Sequence, residues 1–170
     1  MKISRLINAN IYIGNNNLLG TASEVNLPSL KAKTNDFESL GMFGTLEFNS
    51  GIDKMEASIK WNHFDAGVLA LEANMIAQSR LQVHGYIQEH QAGGTIAERA
   101  AVVVMTVGFK EFQGGMIKPK EQIERESQLS VYEMTLSVDG TEIVMFSAIA
   151  NIYRVNGVDL LARYRGAIGQ

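Results

Sequence analysis

Three histidines, a group of glutamates and a few large aromatics are the side chains of this sequence whose types could do chemistry. His84 and His90 fall on alternate positions of an alternating stretch, so both would stand on one strand face. Six residues at ~3.3 Å each put them about 20 Å apart, too far to share a metal ion. His63 stands alone ahead of a helical pattern. Glu121, Glu124 and Glu126 lie close together, and neighbouring carboxylates can serve as acid and base when one is held protonated. Lys118, Lys120 and Arg125 are interleaved with them, which reads as a solvated loop or as a charged contact with another subunit. Trp61, Phe109 and Phe112 could stack on bases, but they sit among apolar neighbours in an acidic chain and read as core or subunit contact. The doublets Gly93-Gly94 and Gly114-Gly115 read as turns, and no Gly-x-Ser-x-Gly, phosphate loop or dinucleotide fingerprint is present. The chain has no cysteine, which excludes disulfides, thiolate metal sites and a Cys nucleophile. No catalytic residue, cofactor or metal is expected.

Composition points the same way. Hydrophobic residues make up 46% of the 170 residues, enough for one core and against disorder. Charged residues make up only 19%, below the ~25% of an ordinary soluble surface, which leaves surface for contact between subunits. The net charge of −3 argues against a nucleic-acid binder and suits a surface that lets DNA pass. Asn8 and Asn10 interrupt what would be the apolar region of a signal peptide after Lys2 and Arg5. The longest apolar run, Ala100 to Met105, is far shorter than the ~20 residues a membrane helix needs. The protein is expected to be made and kept in the cytoplasm, with no stable membrane association.

The elements that must position these side chains are mostly strands. Residues 9–13 and 18–27 read as two strands around the turn Gly14-Asn15-Asn16-Asn17. Residues 28–52, with Pro28, Gly41, Gly44 and Gly51 and no sustained period, read as a long irregular or hairpin arm. Residues 54–62 alternate: Met55, Ala57, Ile59 and Trp61 on a dry face, and Lys54, Glu56, Ser58, Lys60 and Asn62 on a wet one. Residues 65–78 change to a helical stripe of Val68, Leu71 and Met75 flanked by Leu69, Ala73 and Ile76, with Asp65 as N-cap. Residues 80–90 alternate again, Leu81, Val83, Gly85 and Ile87 against Gln82, His84, Tyr86, Gln88 and His90. Residues 98–112 read as a strand covered on both faces, 113–126 as a polar loop, and 127–138 as a strand with a bulge between Val131 and Tyr132. Asp139-Gly140 is a hairpin turn, and 141–153 completes that hairpin. At the end, Asn156-Gly157 makes a turn into a short amphipathic helix. The count is seven or eight strands, a mid-chain helix and a terminal helix: a mainly β, antiparallel barrel or sandwich in one domain over 1–170.

Three blocks carry a resemblance. Leu27-Pro28-Ser29-Leu30-Lys31-Ala32-Lys33-Thr34, followed by Gly41-Met42, resembles the entry to the long arm in the major tail tube family (FII type) of contractile-tailed phages and R-type pyocins. Gly51-Ile52-Asp53-Lys54-Met55-Glu56-Ala57 resembles that family's approach to its first long strand. Asp139-Gly140, then Val155-Asn156-Gly157-Val158-Asp159, Arg165 and Ile168-Gly169, resembles its C-terminal block. The sequence departs from the family pattern at Val144-Met145-Phe146-Ser147, where an acidic residue is usual, and at Gln170, where an apolar one is.

The resemblance implies a structural subunit with no catalysis. It implies hexameric rings in which each copy gives strands to one barrel around a channel for DNA or ions, with rings stacked into a tube. The implied partners are further copies of the chain, a tail sheath protein outside, and a tape measure protein and baseplate hub; DNA would be only transiting cargo. The implied place is a virion tail or tail-like particle assembled in the bacterial cytoplasm. Inter-subunit contacts are then expected from the arm (28–52) and its approach, at Leu27, Pro28, Leu30, Lys33, Thr34, Gly41 and Met42. They are also expected from the C-terminal block (155–170), at Asn156, Gly157, Val158, Asp159, Leu161 and Arg165. Lys54, Glu56, Lys60, Gln82, His84 and Gln88 are the candidates to line the channel. The competing reading is a monomeric β-barrel that binds a small ligand.

Overall fold

The computed structural model describes residues 2–91, 93–94, 96–121 and 123–170. In them the chain forms twelve strands and two helices: β1 Lys2–Ile13, β2 Asn16–Asn17, β3 Ala22–Asn26, β4 Ala32–Phe37, β5 Leu46–Ile52, β6 Met55–Trp61, α1 Ala66–Ala73, β7 Gln78–Gln91, β8 Ile96–Phe109, β9 Arg125–Val138, β10 Thr141–Ser147, β11 Ile152–Val155, β12 Val158–Asp159 and α2 Ala162–Ile168. This exceeds the seven or eight strands the sequence suggests, because the arm is a hairpin and the C-terminal third folds back twice. Every strand pairing is antiparallel.

Ten strands make one sheet, in the order β12-β11-β10-β9-β8-β7-β1-β2, with β6 also on β9 and β3 on β6. Strand β9 is the pivot. One side of it pairs with β8; the other is shared, β6 against Arg125–Val131 and β10 against Glu133–Val138. The change of partner falls at a bulge, where Thr106 opposes Glu133 but Val107 opposes Val131, leaving Tyr132 as the extra residue. The core side of β9 changes phase there, from Leu129 and Val131 to Met134, as the apolar pattern requires. The ring of Tyr132 lies over Gly108, where an added Cβ would meet its hydroxyl at 3.0 Å.

The core occupies one face of this sheet. Ile11, Ile13, Ile59, Trp61, Leu81, Met105, Val107, Phe109 and Leu129 fill it, and α1 caps it with Val68. The dry face expected for β6 is the buried one, although Ser58 on the other face is buried too. Asp65 caps α1 by accepting from the Val68 N–H at 2.9 Å. The helix stops at Ala73, five residues short of the expected end. Asn74 leaves helical geometry, and its side chain accepts from the Ala77 N–H at 3.3 Å. Gln78 must already stand opposite Gly108, so the chain cannot continue as helix. Met75 and Ile76 are therefore exposed rather than part of the stripe.

Four other expectations need correction. β1 begins at Lys2 rather than residue 9, because the whole stretch finds partners on β7. Residues 98–112 end as a strand at Phe109, and Phe112 is half-exposed in the loop. The outer face of β8 is not covered on both sides within one chain: Val102, Val104 and Thr106 stay partly open to solvent. Residues 141–153 are two strands, not one: the chain turns at Ala148–Asn151 and β11 pairs back onto β10. The Asp139-Gly140 turn stands as read, with φ of 50° and 78°, as a two-residue hairpin loop demands.

Candidate functional site

No chemistry gathers where the sequence offered candidates. His84 packs edge-on against Tyr12, 5.2 Å between ring centroids, and contacts Gln82; His63 and His90 are exposed. No three of the described His, Asp and Glu side chains are grouped as a metal ion needs. Of the acidic group, Glu121 pairs with Lys118 in solvent, while Arg125 is not a loop counter-charge at all. Arg125 is buried at the start of β9 and forms an ion pair with Glu72 of α1, itself 1% exposed. Glu72 also accepts from the Ser127 hydroxyl, which in turn accepts from the Trp61 indole at 2.6 Å. This linkage fastens α1 to the sheet; it is a structural pair. The signal for it was present. The alternation of Val131, Leu129 and Ser127 runs back to Arg125, and Glu72 lies four residues after Val68.

What remains is surface. Strand register puts both sets of channel-lining candidates on one side of the same sheet. Glu56 opposes Ser130, Ser130 opposes Gly108, and Gly108 opposes Gln78, the strand mate of Gln82, His84 and Gln88. This face is polar and laced with contacts. Glu56 accepts from Lys54 at 2.9 Å and pairs with Lys110, Lys60 pairs with Glu24 at 2.9 Å, and Gln88 donates to Tyr86, which donates to Glu98 at 2.8 Å. The hydrogen bond from Lys110, then that from Lys54, holds the Glu56 carboxyl down at about 2.

The arm is a second surface. β4 and β5 form a two-stranded sheet of their own, bonded to no other strand. Leu40 and Phe43 at its tip are fully exposed, and Gly41 between them has φ 88°, a turn conformation that suits glycine. Leu27, Lys33, Thr34 and Met42 are exposed as well, and the Thr34 hydroxyl donates to Glu47 across the hairpin. Pro28 is buried and Leu30 packs on the core, so both anchor the base of the arm in its own subunit.

The C-terminal block is the third surface. Asn156 and Gly157 form a turn with φ of 48° and 80°, between β11 and the two-residue strand β12 that precedes α2. Arg165 pairs with Asp159 and donates to the Asn151 carbonyl at 2.8 Å, and Asn151 donates to Gln170 at 2.9 Å. The bond from Arg165 lowers the Asp159 carboxyl below its ordinary range. Leu161 is half-buried, but no residue of α2 is buried, and Val158, Leu160, Tyr164 and Ile168 face solvent. Sequence reasoning missed two further apolar surfaces. One is the outer part of β1, with Ile3, Leu6 and Ile7; the other is Met116-Ile117, inside what reads as a polar loop.

Comparison with known proteins explains a molecule whose apolar residues are so widely exposed. A family model for the phage tail tube protein FII matches residues 3–169. The tail tube protein of Escherichia phage P2 is 29% identical over 164 residues, 94% of each chain. A chain of the sheath-tube complex of the PVC extracellular contractile injection system, in its extended state, has the same fold, with a TM-score of 0.54 at 8% identity, over 76% of this chain and 87% of that one. A chain of the sheath/tube terminator of the same system gives 0.54 at 8% identity, over 77% and 94%. With the match running almost end to end, this chain belongs to the phage tail tube protein FII family, structural subunits of the inner tail tube rather than enzymes.

Proposed function

We propose that the chain closes into hexameric rings whose joined sheets form one barrel around a channel, and that the rings stack into a tube. The observation that carries this is the outer edge of β1. On one side β1 pairs with β7 along its length; on the other, β2 covers only Tyr12 and Ile13. A strand edge running from Lys2 to Asn10 with Ile3, Leu6 and Ile7 exposed invites pairing with another chain, and ring closure is the arrangement that removes such edges. The polar sheet face then turns inward, with Lys54, Glu56, Lys60, Gln82, His84 and Gln88 lining the channel. Its mix of neutral polar groups and internally paired charges suits passage of DNA or ions without retention. The half-open Val102 and Val104 lie on that face too. The exposed side of α2 belongs to the outer wall, facing a sheath. The tube is built in the bacterial cytoplasm on a baseplate hub, around a tape measure protein, into a virion tail or tail-like particle.

The small-ligand reading loses its ground, since Trp61, Ile59, Leu81, Met105 and Leu129 occupy the interior of the sheet. The test is electron microscopy of the purified protein together with cysteine mapping. Hollow tubes of six-fold rings are expected. In them, cysteines replacing Gln82, His84 or Gln88 react with small thiol reagents and not with reagents too bulky to enter. Monomers at high concentration overturn the assembly, and equal reaction with bulky reagents along intact tubes puts this face outside.

A further inference from the structure

Arg125 uses only part of its guanidinium. Nη1 serves the buried ion pair with Glu72 and reaches the Gln113 carbonyl at 3.4 Å. Nε and Nη2, the other edge of the fork, find no acceptor among the described residues, although the side chain is 1% exposed. Among those residues they are the only buried side-chain nitrogens or oxygens in that condition. Buried donors without an acceptor are costly, so such an edge calls for one. Arg125 also lines a cleft of about 840 Å³ between the end of β6, the start of β9 and the loop that joins β8 to β9. The Gly114-Gly115 main chain of that loop lies over the stem of Arg125. A Cβ added at Gly115 would meet Arg125 Cδ at 3.2 Å and Cγ at 3.3 Å, while one at Gly114 meets nothing within 4 Å. This flap therefore closes on the arginine with no side chain of its own to pin it.

The charges around the cleft decide what it accepts. Glu72 already balances Arg125, and Lys60 is held by Glu24 at 2.9 Å. Glu124 and Glu126 line the cleft as well, and both add to the effect of Glu24 in raising the Lys60 ammonium. Glu126 accepts only from the Gln128 amide, at 3.1 Å, among the described residues. Farther out, Lys118 and Glu121 pair with each other at 3.3 Å, and Lys110 is drawn off to Glu56. At the cleft, two cations thus face four carboxylates. A carboxylate or phosphate, the usual guest of an arginine fork, would add to an excess of its own sign. A neutral carbonyl oxygen does not, and it can accept from Nε and Nη2 together. A cation beside it meets Glu124 and Glu126.

We infer that this cleft receives a peptide segment bearing a lysine or arginine: the Gly114-Gly115 flap lifts, a main-chain carbonyl takes the spare edge of Arg125, and the basic side chain lies between Glu124 and Glu126. The recognition belongs to the single subunit and does not depend on the tube reading. Trp61, the one tryptophan of the chain, forms part of the cleft wall, so its fluorescence reports on the cleft, and the Arg125 Nε–H resonance reports on the edge itself. The probes are N-acetyl-lysine N-methylamide, its alanine counterpart and acetate, titrated at low salt into the dispersed full chain. The lysine amide gives a saturable change in both signals, the alanine amide binds about five-fold more weakly, and acetate gives no change. Glu124→Gln with Glu126→Gln brings the lysine amide to the level of the alanine one. Acetate that binds as well as the lysine amide, a double variant that keeps the preference, or no saturable change with any probe overturns the inference. Should the double variant fail to fold by circular dichroism, Glu124→Gln alone decides: it weakens the lysine amide about two-fold and leaves the alanine amide as it was, and an unchanged preference overturns the inference. The same titration on tubes separates the sources of the segment. The response persists where a different chain supplies it, and is lost where a neighbouring copy already fills the cleft.

Discussion

In the body of this subunit the central strands β6, β7, β8 and β9 send alternate side chains into a common core; in the arm, all thirteen residues of β4 and β5 but Ile52 stay exposed. Both are antiparallel β-structure of similar strand chemistry. The body satisfies its apolar residues itself, so Leu81 and Leu129 are fully buried and α1 seals the open side. The arm holds Phe37 against Phe48 edge-on, 5.8 Å between ring centroids, and leaves Leu40 and Phe43 to water. A hairpin of that kind is marginal alone. The body thus carries the stability, and the arm, to which the proposed tube gives a role in assembly, can be perturbed separately.

The largest separation is expected from excising the arm between Lys33 and Gly51, which oppose each other across the hairpin and can be rejoined by a short glycine link. Tubes disappear in electron micrographs, while the urea midpoint of the body moves by less than the equivalent of ~1 kcal/mol, since the arm base keeps Pro28 and Leu30. Normal tubes from the shortened chain would mean that the arm is not the connector.

Glu72→Ala strikes the other side of the comparison. It strands the buried Arg125 charge and is expected to lower body stability by about 3–5 kcal/mol, read from urea unfolding, with the arm untouched. An exposed pair such as Lys118 and Glu121 should cost under ~1 kcal/mol when broken the same way.

The smallest effect concerns pH. Glu56 is depressed to about 2, so its pairing with Lys110 and Lys54 is fully present above the ordinary carboxylate range. The stabilisation is lost as pH falls from there through about 2. Glu56→Gln should therefore flatten the acid limb of the stability curve between pH ~4.5 and ~2 and leave the neutral region almost unchanged; an unchanged acid limb would show that the pairing is not kept in solution.

Much of this division was legible before the fold. The alternation from Met55 to Trp61 identified the core face of β6, the phase slip at Tyr132 announced the bulge, and Asp65 and Asp139-Gly140 marked a cap and a turn that local backbone chemistry enforces. The arm was visible as a stretch without period, though its pairing was not, because cross-strand partners leave no mark at short range. The failures share one cause. The early stop of α1 is set by the register of β7 on β8, and the break after Ser147 by the need of β11 to return along β10. Both depend on residues distant in sequence. Arg125 was read as a charge of a solvated loop, and Glu72 was not singled out, because a charged residue on a periodic face is usually in water. Of the surfaces, the wet faces of β6 and β7 were each apparent, but only strand pairing shows that they are one.

The way β9 serves two neighbours also governs timing. Trp61 meets Ser127 66 residues further on, and the core cannot close until that part of the chain exists. The arm joins Thr34 to Glu47 across 13 residues. Short-range hairpins form in microseconds, whereas sheets with distant partners are slow, and a ribosome adds only about 5–20 residues each second. The arm is therefore synthesised seconds before the body that must steady it, and the closing of β6 onto β9 is the event that completes the core.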